Sequence, residues 1–157
     1  MNWSQILVQE ADFNLSEQYE LLREKAGDPG AIVTFSGLVR ELYEPGDNGA
    51  ERIKTLTLEH YPGMTEKSLA DIAEQAAERW PLLATSIIHR VGELEPGAQI
   101  VFVGTASSHR QAAFDSAQFI MDYLKSNAPF WKKQRTDVGS DWVQSRESDN
   151  KAIKRWQ

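Results

Sequence analysis

Residues 85–124 have the sequence TSIIHRVGELEPGAQIVFVGTASSHRQAAFDSAQFIMDYL and contain the strongest secondary-structure signals of the chain. Thr85 to Val91 and Gln99 to Thr105 are rich in β-branched and apolar residues, as buried strands are. Between them, Glu95-Pro96-Gly97 forms a turn short enough to predict an antiparallel hairpin. The rest of the stretch indicates a helix that Ser107 or Ser108 caps, because apolar residues recur there at helical spacing.

Other segments continue this alternation of strands and helices. Asn14-Leu15-Ser16-Glu17 has the form of a capping box and predicts a helix to about Ala26. A second amphipathic helix is predicted after Pro62-Gly63, ending at Pro81. Further strands are predicted at Ser4 to Gln9, Ala31 to Val39 and Ile53 to His60, with two short segments around Trp131 and Trp142. The order indicates a single α/β domain over residues 1–157, with a mostly antiparallel sheet and helices packed on one side.

Composition excludes several classes of function. The chain has 157 residues, 41% hydrophobic and 25% charged, which is typical of one packed domain. A net charge of −6 argues against a general nucleic-acid coat. No signal peptide or membrane-spanning run is visible, so we expect a cytoplasmic protein that does not bind membranes.

The residue types also limit the chemistry. There is no cysteine, which excludes disulfides, Cys-ligated metals and a thiolate nucleophile. His60 and His89 lie in strand-like segments without metal-ligand spacing, so we expect no metal. Glycine-rich nucleotide motifs and Gly-x-Ser-x-Gly are absent as well, and we expect no cofactor.

Positive charge is concentrated late in the chain. Thr105 to Arg135 carries five Lys and Arg against two Asp, so it is +3 while the remainder is −9. His109 and Arg110 fall at the start of the third predicted helix, where free N–H groups and the dipole favour an anion. This indicates a candidate phosphate site, although a solvated helix start is the simpler alternative.

Two lysine positions are candidates for catalysis. Lys125 ends the third helix, and Lys132 follows in a segment where Phe130 and Trp131 precede ammonium groups. Partial burial among aromatics lowers the pKa of a lysine and makes it a base or nucleophile. The alternative is that the aromatic residues fill the core and the lysines point to water. Arg40, at the end of a strand, is a further binding candidate.

Distance separates these candidates within one chain. His109 and Lys125 are 16 positions apart on one predicted helix, which corresponds to about 24 Å. We therefore expect either two separate sites or a two-fold dimer in which His109 and Arg110 of one protomer meet Lys125 of its partner. The shared site is the hypothesis we prefer.

Several longer motifs follow one another along the chain. They are Thr34-Phe35-Ser36-Gly37-Leu38-Val39-Arg40, Leu58-Glu59-His60-Tyr61-Pro62-Gly63-Met64, His89-Arg90-Val91-Gly92, Ser108-His109-Arg110, Phe119-Ile120-Met121-Asp122-Tyr123-Leu124-Lys125 and Pro129-Phe130-Trp131-Lys132-Lys133. In this order they resemble the large, catalytic subunits of molybdopterin synthase, and the resemblance covers about residues 30–148. It implies an α/β hammerhead fold and a homodimer within a heterotetramer. The partner would be a small ubiquitin-like carrier ending in a Gly-Gly thiocarboxylate. Its sulfur would be transferred twice to cyclic pyranopterin monophosphate (precursor Z), forming the dithiolene of molybdopterin.

The same resemblance implies roles for individual residues. Lys125 and Lys132 correspond to the catalytic lysines of the family. Residues implied to bind substrate are Leu38, Val39, Arg40, His109, Arg110, Lys125, Lys132, Lys133 and Gln134, and those implied to line the pocket are Phe35, Met121 and Arg146. One departure is Glu41-Leu42-Tyr43, which opens a longer loop, Tyr43 to Glu51, than the family usually has.

Two other functions remain open from the residues. A non-catalytic scaffold would dock a ubiquitin-like carrier without transferring sulfur. A phosphate-ester hydrolase would use His109 as acid or base, but the chain has no paired carboxylate or metal cluster to support it.

Overall fold

The structure, a computed structural model, describes residues 2–43, 51–136, 139–143 and 151–157. Strands and helices make up most of these ranges, and a 3-10 helix lies near the end of the last one. In chain order they are β1 (Trp3–Gln9), α1 (Leu15–Ala26), β2 (Ala31–Leu38), β3 (Leu42–Tyr43), β4 (Glu51–His60), α2 (Met64–Arg79), β5 (Leu82–Arg90), β6 (Gly92–Leu94), β7 (Gln99–Ser107), α3 (Arg110–Asn127), β8 (Phe130–Thr136), β9 (Gly139–Val143) and the 3-10 turn (Lys154–Trp156).

The first sheet has the strand order β1-β5-β7-β2. β1 runs parallel to β5, whereas the β5–β7 and β7–β2 pairs are antiparallel. Together with the second, antiparallel sheet, this confirms the predicted fold class, a mostly antiparallel α/β domain.

The helices cover both faces of this sheet, which differs from the predicted packing on one side. Ile87 and Val103 lie in one apolar cluster with residues of α2 and α3. Ala84 and Ala106 lie in another cluster with Leu22 of α1. Neighbouring positions of a strand face opposite sides, and β5 and β7 are buried at both sets of positions. Each face therefore needs its own cover.

The second sheet is built around β4. β8 pairs along one edge of β4, while β3 and β6 pair along the other, and β9 extends the sheet beyond β8. Ile53, Leu56 and Leu58 of β4 pack with Val39 and Leu94 in a separate apolar cluster. The β8–β9 hairpin accounts for the predicted segments around Trp131 and Trp142.

The connection between β5 and β7 corrects the predicted hairpin. The two strands do pair antiparallel, but the chain first leaves the sheet as β6, where Leu94 pairs with Leu56 of β4. Gly92, with φ 89°, adopts the left-handed backbone that redirects the chain there. A single connection therefore belongs to both sheets.

The helix ends follow the sequence signals with one correction. The Asn14 side chain accepts a hydrogen bond of 3.0 Å from the Glu17 backbone N–H, as the capping box predicts. α2 ends at Arg79, just before Trp80 and Pro81. The predicted serine cap of α3 is wrong, because His109 is the N-cap residue. Ser107 still belongs to β7, where its hydroxyl donates to the Pro81 carbonyl at 2.9 Å.

β2 lies at one edge of the first sheet and carries exposed apolar side chains. Phe35 is 41% exposed and Leu38 is 53% exposed. The pairing register with β7 shifts between Gly37 and Leu38, so the strand is irregular at its end. Among the described residues, no helix is long and apolar enough to cross a membrane.

Candidate active site

The C-terminal end of α3 presents Lys125 to solvent in its last turn. A cation there is favoured by the helix dipole. The chain then passes through Ala128 and Pro129 into β8. Thr65, fully buried in the first turn of α2, donates its hydroxyl to the Pro129 carbonyl at 3.0 Å and accepts the Tyr61 N–H at 2.9 Å. The path from Lys125 to β8 is thus held by a side chain of another helix.

β8 separates residues that the sequence had placed in one basic cluster. Neighbouring positions of a strand face opposite sides, so Lys132 shares its face with Phe130 and Gln134, whereas Lys133 shares its face with Trp131. Gln134 is buried and Lys132 half-buried, while Lys133 is exposed. The Lys133 Nζ lies 5.7 Å from the centre of the Trp142 ring, on the outer face of the sheet.

His89, at the end of β5, packs directly against the start of β8. Its ring stacks on that of Phe130, with centroids 3.8 Å apart and planes 18° from parallel. The side chain is 4% exposed, and Nδ1 lies 2.8 Å from the Arg90 carbonyl oxygen. Since a carbonyl only accepts, Nδ1 carries the proton of the neutral ring, and Nε2 is left as an acceptor.

Burial lowers the pKa of His89 to about 3, against an ordinary value of 6.5, so the ring is neutral at pH 7. The hydrogen bond to the Arg90 carbonyl acts in the opposite direction, while the charges of Lys125, Lys132 and His60 lower the pKa further. Both lysines therefore lie close enough to one buried histidine to act on it electrostatically. The two lysines predicted to be catalytic thus share one neighbouring group whose pKa their charges lower.

The sequence assigned His89 no functional role. The histidine is isolated in a strand, and its stacking partner Phe130 lies far along the chain in another sheet. No local spacing links the two residues. Only the topology that packs the end of β5 against the start of β8 reveals the contact.

Acid should destabilise the wild-type chain more than His89→Phe. Above about pH 6.5 the histidine is neutral in both states, and below it the unfolded chain gains a proton that the folded chain does not bind. Between about pH 7.5 and 5 this costs the wild type about 2 kcal/mol of unfolding free energy that His89→Phe keeps. Urea unfolding of both proteins at the two pH values measures the difference. Equal losses in the two proteins would contradict the assignment of a neutral buried His89.

The opposite end of α3 carries the predicted anion site. His109 and Arg110 are both exposed there. The side chain of His109, the N-cap residue, makes no capping hydrogen bond to the first turn. Gly30 fixes this end, because its N–H donates to the Ser107 carbonyl at 3.0 Å. A Cβ at Gly30 would lie 2.0 Å from the Ser108 carbonyl oxygen, so the close approach requires glycine.

Within one chain, the start of α3, with His109 and Arg110, lies far from the last turn of the same helix, with Lys125. α3 is one continuous helix over Arg110–Asn127, as the sequence predicts. The 15 steps from Arg110 to Lys125 correspond to about 22 Å. A small substrate that touches both ends needs two copies of the chain.

The remaining predicted residues occupy varied positions. Leu38 and Arg40 are exposed, but the Val39 side chain is buried, and its backbone bonds with Gly97 and Ala98. Met121 is buried in the cluster between α2, α3 and the first sheet, whereas Phe35 is exposed at the sheet edge. Arg146 and most of the loop from Tyr43 to Glu51 lie outside the described residues.

Two cavities among the described residues are lined by other side chains. One of about 470 Å³ is bordered by β1 and α1, and another of about 310 Å³ by α1 and β2. None of the residues that line them is a predicted site residue. Within the part of the chain that the structure describes, no three His, Asp or Glu side chains are placed to hold a metal.

Comparison with known proteins gives a consistent result. A family model described as MoaE protein matches residues 8–127. The molybdopterin synthase catalytic subunit of Salmonella typhimurium is 53% identical over 99% of this chain and 100% of its own length. That of Escherichia coli K12 is 52% identical over 98% of both chains.

Solved structures agree with the sequence comparison. The molybdopterin biosynthesis MoaE protein from Burkholderia ambifaria superposes with a TM-score of 0.81 at 45% identity, covering 99% of this chain and 98% of its own.

Proposed function

The chain belongs to the MoaE protein family, and from that premise we propose that it transfers sulfur from the C-terminal thiocarboxylate of a small ubiquitin-like carrier to cyclic pyranopterin monophosphate. Two transfers form the dithiolene of molybdopterin, a step of molybdenum cofactor biosynthesis. The chain is an enzyme, a molybdopterin synthase catalytic subunit by its family. The absence of cysteine fits a catalyst whose sulfur arrives on a partner.

The observation that supports this proposal is the short connection between the last turn of α3, which carries Lys125, and β8, which carries Lys132. Thr65 holds this connection at the Pro129 carbonyl by a hydrogen bond of 3.0 Å. Lys125 stabilises the carbonyl oxyanion of the carrier, or its amine attacks the carbonyl of the terminal glycine. In the second case the C–S bond breaks as the sulfur passes to the substrate carbon, and water then hydrolyses the amide between Lys125 and the carrier. Lys132, on the inner face of β8, moves protons or holds the cyclic phosphate. Gln134 lies on the same face and supports that contact.

The partner is part of the proposal. The curated relatives are named catalytic subunits, which implies a second subunit that is not catalytic. We assign this place to the small carrier, whose flexible C-terminal tail reaches the lysine pair. The whole assembly is a heterotetramer, with a homodimer of this chain at its centre and a cytoplasmic location.

The phosphate is held across the dimer in this proposal. Arg40 and Lys132 approach it from one protomer, and His109 and Arg110 from its partner. The support is the length of α3, which keeps Arg110 and Lys125 of one chain about 22 Å apart. A two-fold dimer that aligns the start of one α3 with the end of the other joins the two ends.

The direct test combines the purified chain with a thiocarboxylated carrier and precursor Z and follows dithiolene formation. The matched control is the same carrier with an ordinary C-terminal carboxylate, which binds but holds no sulfur. Product with the thiocarboxylate alone supports the transferase. Tight binding of both carriers without product would instead favour the non-catalytic scaffold.

Mixing two inactive variants should restore activity if the site is shared. Arg110→Ala and Lys125→Ala each remove one half of every site. In a mixed dimer one of the two sites regains both native residues, so random pairing gives about a quarter of wild-type activity. Co-expression of the two variants followed by the same assay measures this recovery. A mixture as inactive as its components would contradict the shared site.

A further inference from the structure

The proposed reaction leaves unused one buried titratable side chain that contacts the site, that of His89. Its ring is 4% exposed and lies flat on Phe130. Phe130 precedes Lys132 by two positions and shares its face of β8. Whatever fixes the Phe130 ring also fixes the start of the strand that carries Lys132.

The segment between the two lysines has two anchors from outside. Thr65 holds the Pro129 carbonyl by a hydrogen bond of 3.0 Å, and His89 holds the adjacent Phe130 by stacking. Between them they restrain the short connection that sets Lys132 relative to Lys125. The first anchor is a hydrogen bond from a side-chain hydroxyl to the backbone, whereas the second depends on the stacking of one ring.

The orientation of the His89 ring is itself determined. Nδ1 donates to the Arg90 carbonyl at 2.8 Å. The Arg90 guanidinium in turn donates to the backbone carbonyls of Glu10 and Gln99, at 2.9 to 3.1 Å. Hydrogen bonds within the first sheet therefore fix the orientation of the His89 ring, and its face contacts Phe130 of the second sheet.

Charge also restricts what this position accepts. The groups that act on His89 from neighbouring elements are Lys125 of α3, Lys132 of β8 and His60 of β4. The His60 Nε2 lies 3.8 Å from a carboxylate oxygen of Glu66. A cationic side chain at position 89 would repel both lysines, whereas a flat neutral ring does not.

We infer that His89 is a positioning residue for the lysine pair: its oriented ring holds Phe130 and the start of β8, so that Lys132 keeps a fixed place relative to Lys125. This inference rests on the proposed function, because that function makes Lys125 and Lys132 the catalytic residues. His89 itself touches neither substrate nor carrier.

The test compares His89→Leu, which removes the ring, with Ile88→Ala. Ile88 is the adjacent residue of the same strand, fully buried on the opposite face with Phe13 and Phe102. His89→Leu should lower kcat about tenfold or more while the KM for precursor Z stays within about threefold, because misplacement acts on the reacting geometry. Ile88→Ala controls for lost packing. Equal kcat in the two variants would overturn the inference.

His89→Phe separates the ring from the nitrogen atoms. It keeps a flat neutral ring for Phe130 and loses the hydrogen bond to Arg90. We expect it to recover most of the kcat that His89→Leu loses. A His89→Phe protein as impaired as His89→Leu would show that stacking is not the cause and would overturn the inference.

A second measurement does not depend on turnover. Reductive methylation with formaldehyde and borohydride, followed by mass spectrometry, gives the relative labelling rates of Lys125 and Lys132. The ratio should change about threefold in His89→Leu and remain at the wild-type value in His89→Phe and Ile88→Ala. If the labelling ratio changes in His89→Leu but the wild type forms no dithiolene, the proposed function fails while the positioning role of His89 is supported. An unchanged ratio in His89→Leu overturns positioning even in an active synthase.

Discussion

Replacing Lys125 with alanine is expected to lower the rate of dithiolene formation by about a hundredfold or more. The side chain is exposed at the end of α3, so its removal leaves the packing of the helix intact. Alanine is also the strongest helix former, and only the weak interaction with the helix dipole is lost. The loss is therefore one of chemistry and not of folding.

Lys125→Arg distinguishes the two roles that remain open for this residue. Arginine keeps the positive charge but is not a nucleophile at neutral pH. Activity near the wild-type level would assign oxyanion stabilisation, and a loss as large as that of alanine would assign a covalent role. Lys67→Ala, an exposed lysine of α2, is the matched control. Unchanged activity of Lys125→Ala would contradict the assignment of Lys125 to the chemistry.

Lys132→Met is expected to lower activity about thirtyfold or more, whereas Lys133→Met stays within about threefold of the wild type. Both substitutions keep the apolar stem and remove the charge. The two lysines are adjacent but face opposite sides of β8, and Lys133 lies over the Trp142 ring on the outer face. The pair is its own control for net charge and local composition.

Steady-state kinetics on both variants checks this contrast and also distinguishes two roles for Lys132. A rise in KM for precursor Z in Lys132→Met would assign Lys132 to the phosphate, and a fall in kcat would assign it to proton movement. Equal losses in the two variants would contradict the separation by strand face.

Much of the architecture could be predicted because its signals are local. The Asn14 cap, the end of α2 before Pro81 and the length of α3 all depend on residues within a few positions of each other. The separation of Arg110 from Lys125 followed directly from the helix length. Fold class needed only the order of these elements.

The division into two sheets could not be predicted, because it depends on pairing between distant segments. β6 is three residues long, and nothing in Gly92–Leu94 alone distinguishes a strand from the arm of a tight turn. The same applies to the site. Lys132 and Lys133 are equivalent until β8 is known to be a strand, and His89 gains its place only through Phe130 in the other sheet.

The edge position of β2 has a practical consequence for handling the protein. An edge strand offers unpaired backbone groups, and here the exposed Phe35 and Leu38 add apolar surface to them. Such an edge is a template for irregular association at high concentration. Preparations of the chain should therefore lose material to aggregates along this strand as the protein concentration rises.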